Sequence, residues 1–265
     1  MFYRTAIMLA LSFASAAAAL SAESDTRVFE LRTYDSPPGK LDALHARFRD
    51  HTMRIFEKHG MTNIGYWTPI ENKQNQLIYL LAFPSREARE KSWQAFVADP
   101  EWKKVQQASE VGGKLVDKVV SQLLAATDYS PDVDAARKAS EEKAGGPQQA
   151  DRVFELRTYA VTPGKLDALN ARFRDHTMQL FKKHGMTNIA YWNLLPDQKG
   201  ADRTLVYLLA HRSQEAAEKS FAAFRSDPDW IAARKSSEEK AGGSLTEKDG
   251  VRSLFLKPTD YSPLK

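Results

Sequence analysis

Apolar and polar residues alternate along VFELRTY at Val28–Tyr34, and the same seven letters return at Val153–Tyr159. Period-two alternation in β-branched and aromatic residues predicts a strand. A turn with Pro38 and Gly39 follows, and then Leu41, Leu44, Phe48, Thr52 and Ile55 recur at helical spacing, predicting a helix over Lys40–His59. Gly60 is the expected left-handed residue just past its end. TNIGYW and LIYLLAF predict two more strands around the polar loop PIENKQNQ. Ser85 is the predicted cap of a second helix, with Ala88, Ser92, Ala95 and Phe96 inward. Asp99, Pro100 and Trp102 open another helix as N-cap, first residue and anchor. The last strand is expected at about Lys114–Leu124.

This order, β-α-β-β-α-β, then repeats. Arg27–Trp67 aligns without gaps to Arg152–Trp192 at an offset of 125, with 33 of 41 positions identical, and both copies finish at TDYSP. A unit this long is a domain with its own core. The predicted boundaries are 27–130 for the first unit, 131–151 for a linker and 152–263 for the second unit. In the linker, PDVDAARKASEEKAGG echoes PDWIAARKSSEEKAGG of the second unit. Val133 and Asp134 replace Trp and Ile, which predicts a solvated spacer helix ahead of a flexible GGPQQ.

The split βαβ order belongs to an α+β fold: a ferredoxin-like, four-stranded antiparallel sheet with both helices on one face. Its open face needs a cover, and a second copy is tethered nearby. The expected architecture is therefore two tandem ferredoxin-like (βαββαβ) units packed sheet to sheet, an intrachain pseudo-dimeric α+β barrel. Alternation puts Phe29 and Leu31 on one face of the first strand and Glu30, Arg32 and Tyr34 on the other. With the apolar pair assigned to the helices, Glu30, Arg32, Tyr34 and their copies Glu155, Arg157 and Tyr159 are expected between the sheets. There they either line a cavity for a small ligand or pair with one another as an ion-pair network.

Charge changes this picture little. The 38 Lys and Arg against 34 Asp and Glu give +4, interleaved without a basic block, so nucleic acid is not an expected partner. The N-terminus does change it. Arg4, an apolar run over Thr5–Ala16 and small residues up to Ala22 read as a signal peptide over residues 1–22. The mature chain is expected in the periplasm or outside the cell, without stable membrane insertion after cleavage. It has no cysteine, hence no disulfide, no thiolate nucleophile and no zinc–thiolate site.

Among other candidates, His51 and His176 in RDHTM sit at the edge of the apolar helix face, as a general base or as boundary side chains. His59 and His184 suit helix C-terminal capping. His45 becomes Asn170 and Phe83 becomes His211, which suits neither for a site needed in both halves. Tyr66 and Tyr191, each followed by Trp, are core or cavity lining. Metal-ligand spacing, a Gly-rich phosphate loop and a nucleophile elbow are all missing from the sequence, so no metal and no cofactor is expected.

The stretches VFELRTY, PGKLDALHARFRDHTMRIFEKHGM, NIGYW, SREAREKSW, DPEW and TDYSP closely resemble the NIPSNAP family over nearly all of both units. The resemblance implies a dimeric α+β barrel with one or two such domains per chain. It supplies no catalytic residue to carry over. Animal members are mitochondrial proteins linked to vesicle traffic and mitophagy, roles that do not transfer to an exported chain. The wider barrel superfamily includes cofactor-free monooxygenases, an analogy of fold only. The expectation is an exported protein of NIPSNAP type that binds a small molecule or a protein partner at or near the inter-sheet cavity. The alternatives are an oxygenase- or isomerase-like enzyme using Arg32, Arg157, His51 or His176, and a purely structural or assembly module.

Overall fold

The computed structural model describes residues 26–143 and 152–265. The predicted leader (1–22) and the end of the linker lie outside the described residues. Among the described residues eight strands run in the order expected: β1 (Val28–Asp35), β2 (Thr62–Pro69), β3 (Gln76–Phe83), β4 (Lys118–Ala126), β5 (Val153–Val161), β6 (Thr187–Leu194), β7 (Thr204–His211) and β8 (Thr246–Pro258). They close into one antiparallel barrel, β1-β3-β2-β8-β5-β7-β6-β4. The halves meet edge to edge rather than as two stacked sheets. Trp67–Pro69 of β2 pairs with Leu256–Pro258 of β8, and Leu124–Ala126 of β4 pairs with Trp192–Leu194 of β6. Closure removes the free sheet edges along these segments.

The long helix of unit one is α1 (Leu41–Arg47), a π-helical turn at Phe48–Thr52, and α2 (Met53–Lys58). The Thr52 hydroxyl donates to the Arg47 carbonyl five residues back, at 3.0 Å. The same turn recurs at Phe173–Thr177 between α6 (Leu166–Arg172) and α7 (Met178–Lys183), with Thr177 donating to Arg172. One extra residue in a turn delays the helix by about 100°. The delay brings Thr52 and Phe56 inward and turns His51 out to solvent, and His176 likewise. Both histidines are therefore exposed, not at the edge of the apolar face.

Local signals hold where they are local. Gly60 has φ +76°. Ser85 accepts from Ala88 N–H at the start of α3 (Arg86–Ala98), and Asp99 caps α4 (Pro100–Ser109). His59 Nε2 lies 2.7 Å from Asp99 Oδ2, and His184 repeats this with Asp227 at the junction of α8 (Gln214–Ser226) and α9 (Pro228–Lys240). These histidines tie the end of one helix to the cap of another.

Two elements behave differently from expectation. The linker helix, α5 (Val133–Lys143), is no solvated spacer: Val133 is buried in the same cluster as the barrel interior, with Leu264, and Ala136 packs against it. The TDYSP segments cross to the other unit. Tyr261 lies on Tyr66, its hydroxyl 2.8 Å from His45 Nδ1, while Tyr129 donates to Asn170 and lies on Tyr191. The His45/Asn170 difference between the copies is absorbed there, since each side chain meets the hydroxyl of the corresponding tyrosine, Tyr261 or Tyr129.

Candidate functional site

In β1 the two faces are the reverse of the sequence expectation. Phe29 and Leu31 point into the barrel, in one buried cluster with Phe154, Trp67 and Trp192. Phe29 packs on Trp192 at 5.8 Å and Trp67 on Phe154 at 5.7 Å, so each pair joins the two units. The remaining space among Leu31, Trp67, Leu80, Leu156, Trp192 and Leu208 is about 10 Å³. A single water needs roughly 10–15 Å³. The barrel interior is a packed core and has no room for a ligand.

Glu30, Arg32 and Tyr34 instead face the helices of their own unit. Arg89 of α3 grips the buried Glu30 carboxylate with two donors, Nε at 2.7 Å and Nη2 at 2.8 Å. Trp93 Nε1 donates at 2.7 Å, Ser121 of β4 at 2.6 Å and Arg32 at 2.6 Å. Burial alone would raise this carboxyl; the Arg89 fork and Arg32, with Ser121 and Trp93, overrule it and hold it at about 2. Arg32 lies over the Trp93 ring at 4.3 Å and donates to Tyr34 at 3.3 Å.

Unit two solves the same problem with different residues. Ala217 and Phe221 stand where unit one has Arg89 and Trp93, and His211 stands in place of Phe83. His211 Nε2 lies 3.1 Å from Glu155 Oε2, and Arg157 and Ser253 donate to the other oxygen. Burial raises the Glu155 carboxyl, but His211, Arg157 and Ser253 bring it below its ordinary value. Arg157 lies over the smaller Phe221 ring at 4.5 Å.

Beside Arg157 a crevice of about 300 Å³ opens between the barrel and α8/α9, lined by Arg157, Tyr159, Arg172, Phe221, Trp230 and Glu238 among others. Arg172 has a side chain only 5% exposed. Its Nη1 reaches Ser237 at 3.5 Å and Glu238 at 3.6 Å, both long, and Glu238 is shared with Arg234 at 3.3 Å. In unit one the equivalent Arg47 meets Glu110 at 2.9 Å. The Nε atoms of Arg157 and Arg172 find no acceptor among the described residues, and neither do those of Arg32 and Arg47 in unit one. Burial pulls the Arg172 guanidinium below its usual value, with Glu238 opposing.

Of the residues predicted from sequence, the structure brings Glu30 with Arg32 and Tyr34, and Glu155 with Arg157 and Tyr159, but in two separate places rather than facing each other. Tyr66 and Tyr191 are buried on the helix side, stacked on Tyr79 at 5.4 Å and on Tyr207 at 5.1 Å, and each donates to the asparagine three residues before it. His176 lines a separate open groove with Asp175, Lys183 and Asp229. Sequence reasoning missed Arg89, Trp93, Ser121, Arg172, Ser253 and the role of His211. The one signal was that three differences between the copies, at 83/211, 89/217 and 93/221, fall on residues around the same carboxylate. Among the described residues, no group of three or more His, Asp and Glu is placed to hold a metal ion, and no helix is long and apolar enough to cross a membrane.

Comparison with known proteins gives one family model, described as NIPSNAP, matching residues 29–131 and 154–263. A NipSnap homologue of Dictyostelium discoideum is 24% identical over 206 residues, spanning 78% of this chain and 79% of that protein. Among solved structures, an uncharacterized NIPSNAP-like domain protein from Burkholderia xenovorans is 21% identical with a TM-score of 0.37, covering 41% of this chain and 91% of its own. An anthrone oxidase-like protein is 16% identical with a TM-score of 0.53, covering 89% of this chain and 92% of its own. At that identity the likeness is one of fold alone, a mixed α/β barrel of the dimeric α+β kind.

Proposed function

We propose that this chain, which belongs to the NIPSNAP family, is an exported binding protein whose small ligand enters between the barrel and the helices of unit two. In this reading each half is a ferredoxin-like unit and the barrel is a dimer made within one chain. The observation that carries the proposal is the crevice of about 300 Å³ beside Arg157 and the buried Arg172, whose contacts to Ser237 and Glu238 are longer than the Arg47–Glu110 contact of unit one. A buried guanidinium held only by long contacts is costly unless something answers it. The N-terminal sequence, with Arg4 and its apolar run, supports export.

A second reading, a structural or assembly module, draws on unit one, where Glu30 is fully engaged, and on the filled interior. It accounts for unit one and leaves the unit-two crevice without a role. Oxygenase- or isomerase-like chemistry has less support: His51 and His176 stand on the solvent side of their helices and neither lines the crevice.

Native mass spectrometry of protein purified from its own host tests the binding reading. The expected result is a retained small-molecule mass, one per chain, released by mild denaturation. A chain that carries nothing from any host preparation favours the structural module. Export is tested separately: the N-terminal residue of the secreted protein is expected near Leu20–Glu23.

A further inference from the structure

The two units share most of their sequence, yet around one crevice they differ in a consistent direction. Trp93 becomes Phe221 and Arg89 becomes Ala217, so the helix side chains over the sheet shrink. At the same time Val97 becomes Arg225 and Gln106 becomes Arg234, so the rim gains two cations. Arg225 and Arg234 both line the crevice, and Arg234 draws on Glu238, the counterpart of the Glu110 that Arg47 binds closely in unit one. Four arginines, Arg157, Arg172, Arg225 and Arg234, are thus set against two carboxylates, Glu155 and Glu238. The walls between them are aromatic: Phe221, Phe224 and Trp230, with Arg172 lying over the Trp230 ring at 5.1 Å.

Resting on the binding reading above, we propose that the unit-two crevice binds one aromatic carboxylate per chain, its ring among Phe221, Phe224 and Trp230 and its carboxylate on Arg172 and Arg157. Guanidinium donors match a carboxylate in geometry and charge, and a low-dielectric wall strengthens the contact. A volume of about 300 Å³ suits one or two fused rings. Through Arg225, Trp230, Arg234, Glu238 and Ser244, which line both, the crevice adjoins an open groove of about 550 Å³ that also holds Lys235 and Glu239. A substituent on the ring, remote from the carboxylate, extends into that groove. Unit one, with Trp93 and Arg89 in place and Arg47 paired, takes none.

Titration calorimetry at low ionic strength tests this with benzoate and 1-naphthoate as probes, and with benzamide, 1-naphthamide and inorganic phosphate as comparisons. The expected result is one carboxylate per chain, naphthoate tighter than benzoate, and the amides and phosphate at least tenfold weaker. Arg172→Gln is expected to lose tenfold or more in affinity and Arg234→Gln two- to fivefold, while Arg47→Gln changes nothing. Phe221→Trp, which installs the unit-one side chain, is expected to abolish binding with its thermal midpoint close to that of the parent, which keeps the test open if Arg172→Gln does not fold. Two sites per chain, amides as tight as acids, phosphate tighter than naphthoate, or affinity unmoved by Phe221→Trp each overturn the proposal. If none of the probes binds, the aromatic carboxylate is ruled out, and a retained neutral mass from the host protein then still upholds the broader binding reading.

Discussion

Glu30→Ala is expected to destabilise the protein by about 3–5 kcal/mol, because it leaves Arg32 and Arg89 in the protein interior with their shared counter-charge gone. Urea unfolding followed by circular dichroism measures it. Glu30→Gln keeps the shape but not the charge and is expected to fall in the same class. The pH dependence has a definite sign. The Glu30 carboxyl is held at about 2 in the folded chain against an ordinary value near 4.5. Its contribution is therefore complete above about pH 5 and is lost as pH falls through 2. The difference corresponds to about 3 kcal/mol. The parent protein should lose stability over that window, and Glu30→Ala should lose less. A cost below about 1 kcal/mol, or identical acid limbs, would mean that the carboxylate is not held as the geometry indicates.

Trp192→Ala carries the second large effect, also about 3–5 kcal/mol, the usual cost of deleting a large aromatic side chain from a packed core. Trp192 belongs to unit two but packs on Phe29 of unit one, and the strand carrying it pairs with β4 across the junction. The loss should therefore appear in one cooperative transition shared by both units, with fluorescence and circular dichroism coincident. Were the barrel interior a ligand chamber, the same substitution would enlarge an existing space and be tolerated within about 1 kcal/mol. Two separate transitions would show that the halves fold independently.

How far the sequence reaches depends on whether a feature is local. The element order, the Gly60 stop, the Ser85 and Asp99 caps and the duplication are each written in short stretches, and the structure has them. The side on which Glu30 and Arg32 lie is not local. The sequence pattern points Phe29 and Leu31 at the helices because an apolar pair is the natural partner of a helix layer, and leaves the charged set for the face that a second sheet covers. In a closed barrel both faces are buried, and the face that tolerates charge is the one whose neighbours supply partners. Those partners, Arg89 and Trp93, lie about 60 residues further along the chain. Burial of Val133 is equally non-local, since one large apolar residue, with Ala136 beside it, suffices when the barrel interior is there to receive it. The exposure of His51 rests on a single π turn that no 3.6-residue pattern registers. Part of the crevice was within reach of sequence comparison alone: the 93/221, 97/225 and 106/234 differences between the copies all fall on its lining, and the 83/211 difference falls on the neighbouring Glu155.

A crystal structure of the protein purified from its own host, without soaking, tests the proposed ligand position most directly. The predicted result is density between β5 and helices α8 and α9, against Arg172, Arg157 and Phe221, with the barrel interior filled only by its own side chains. Density inside the barrel among Leu31, Trp67 and Trp192, or equal density beside Arg47 in unit one, would contradict it.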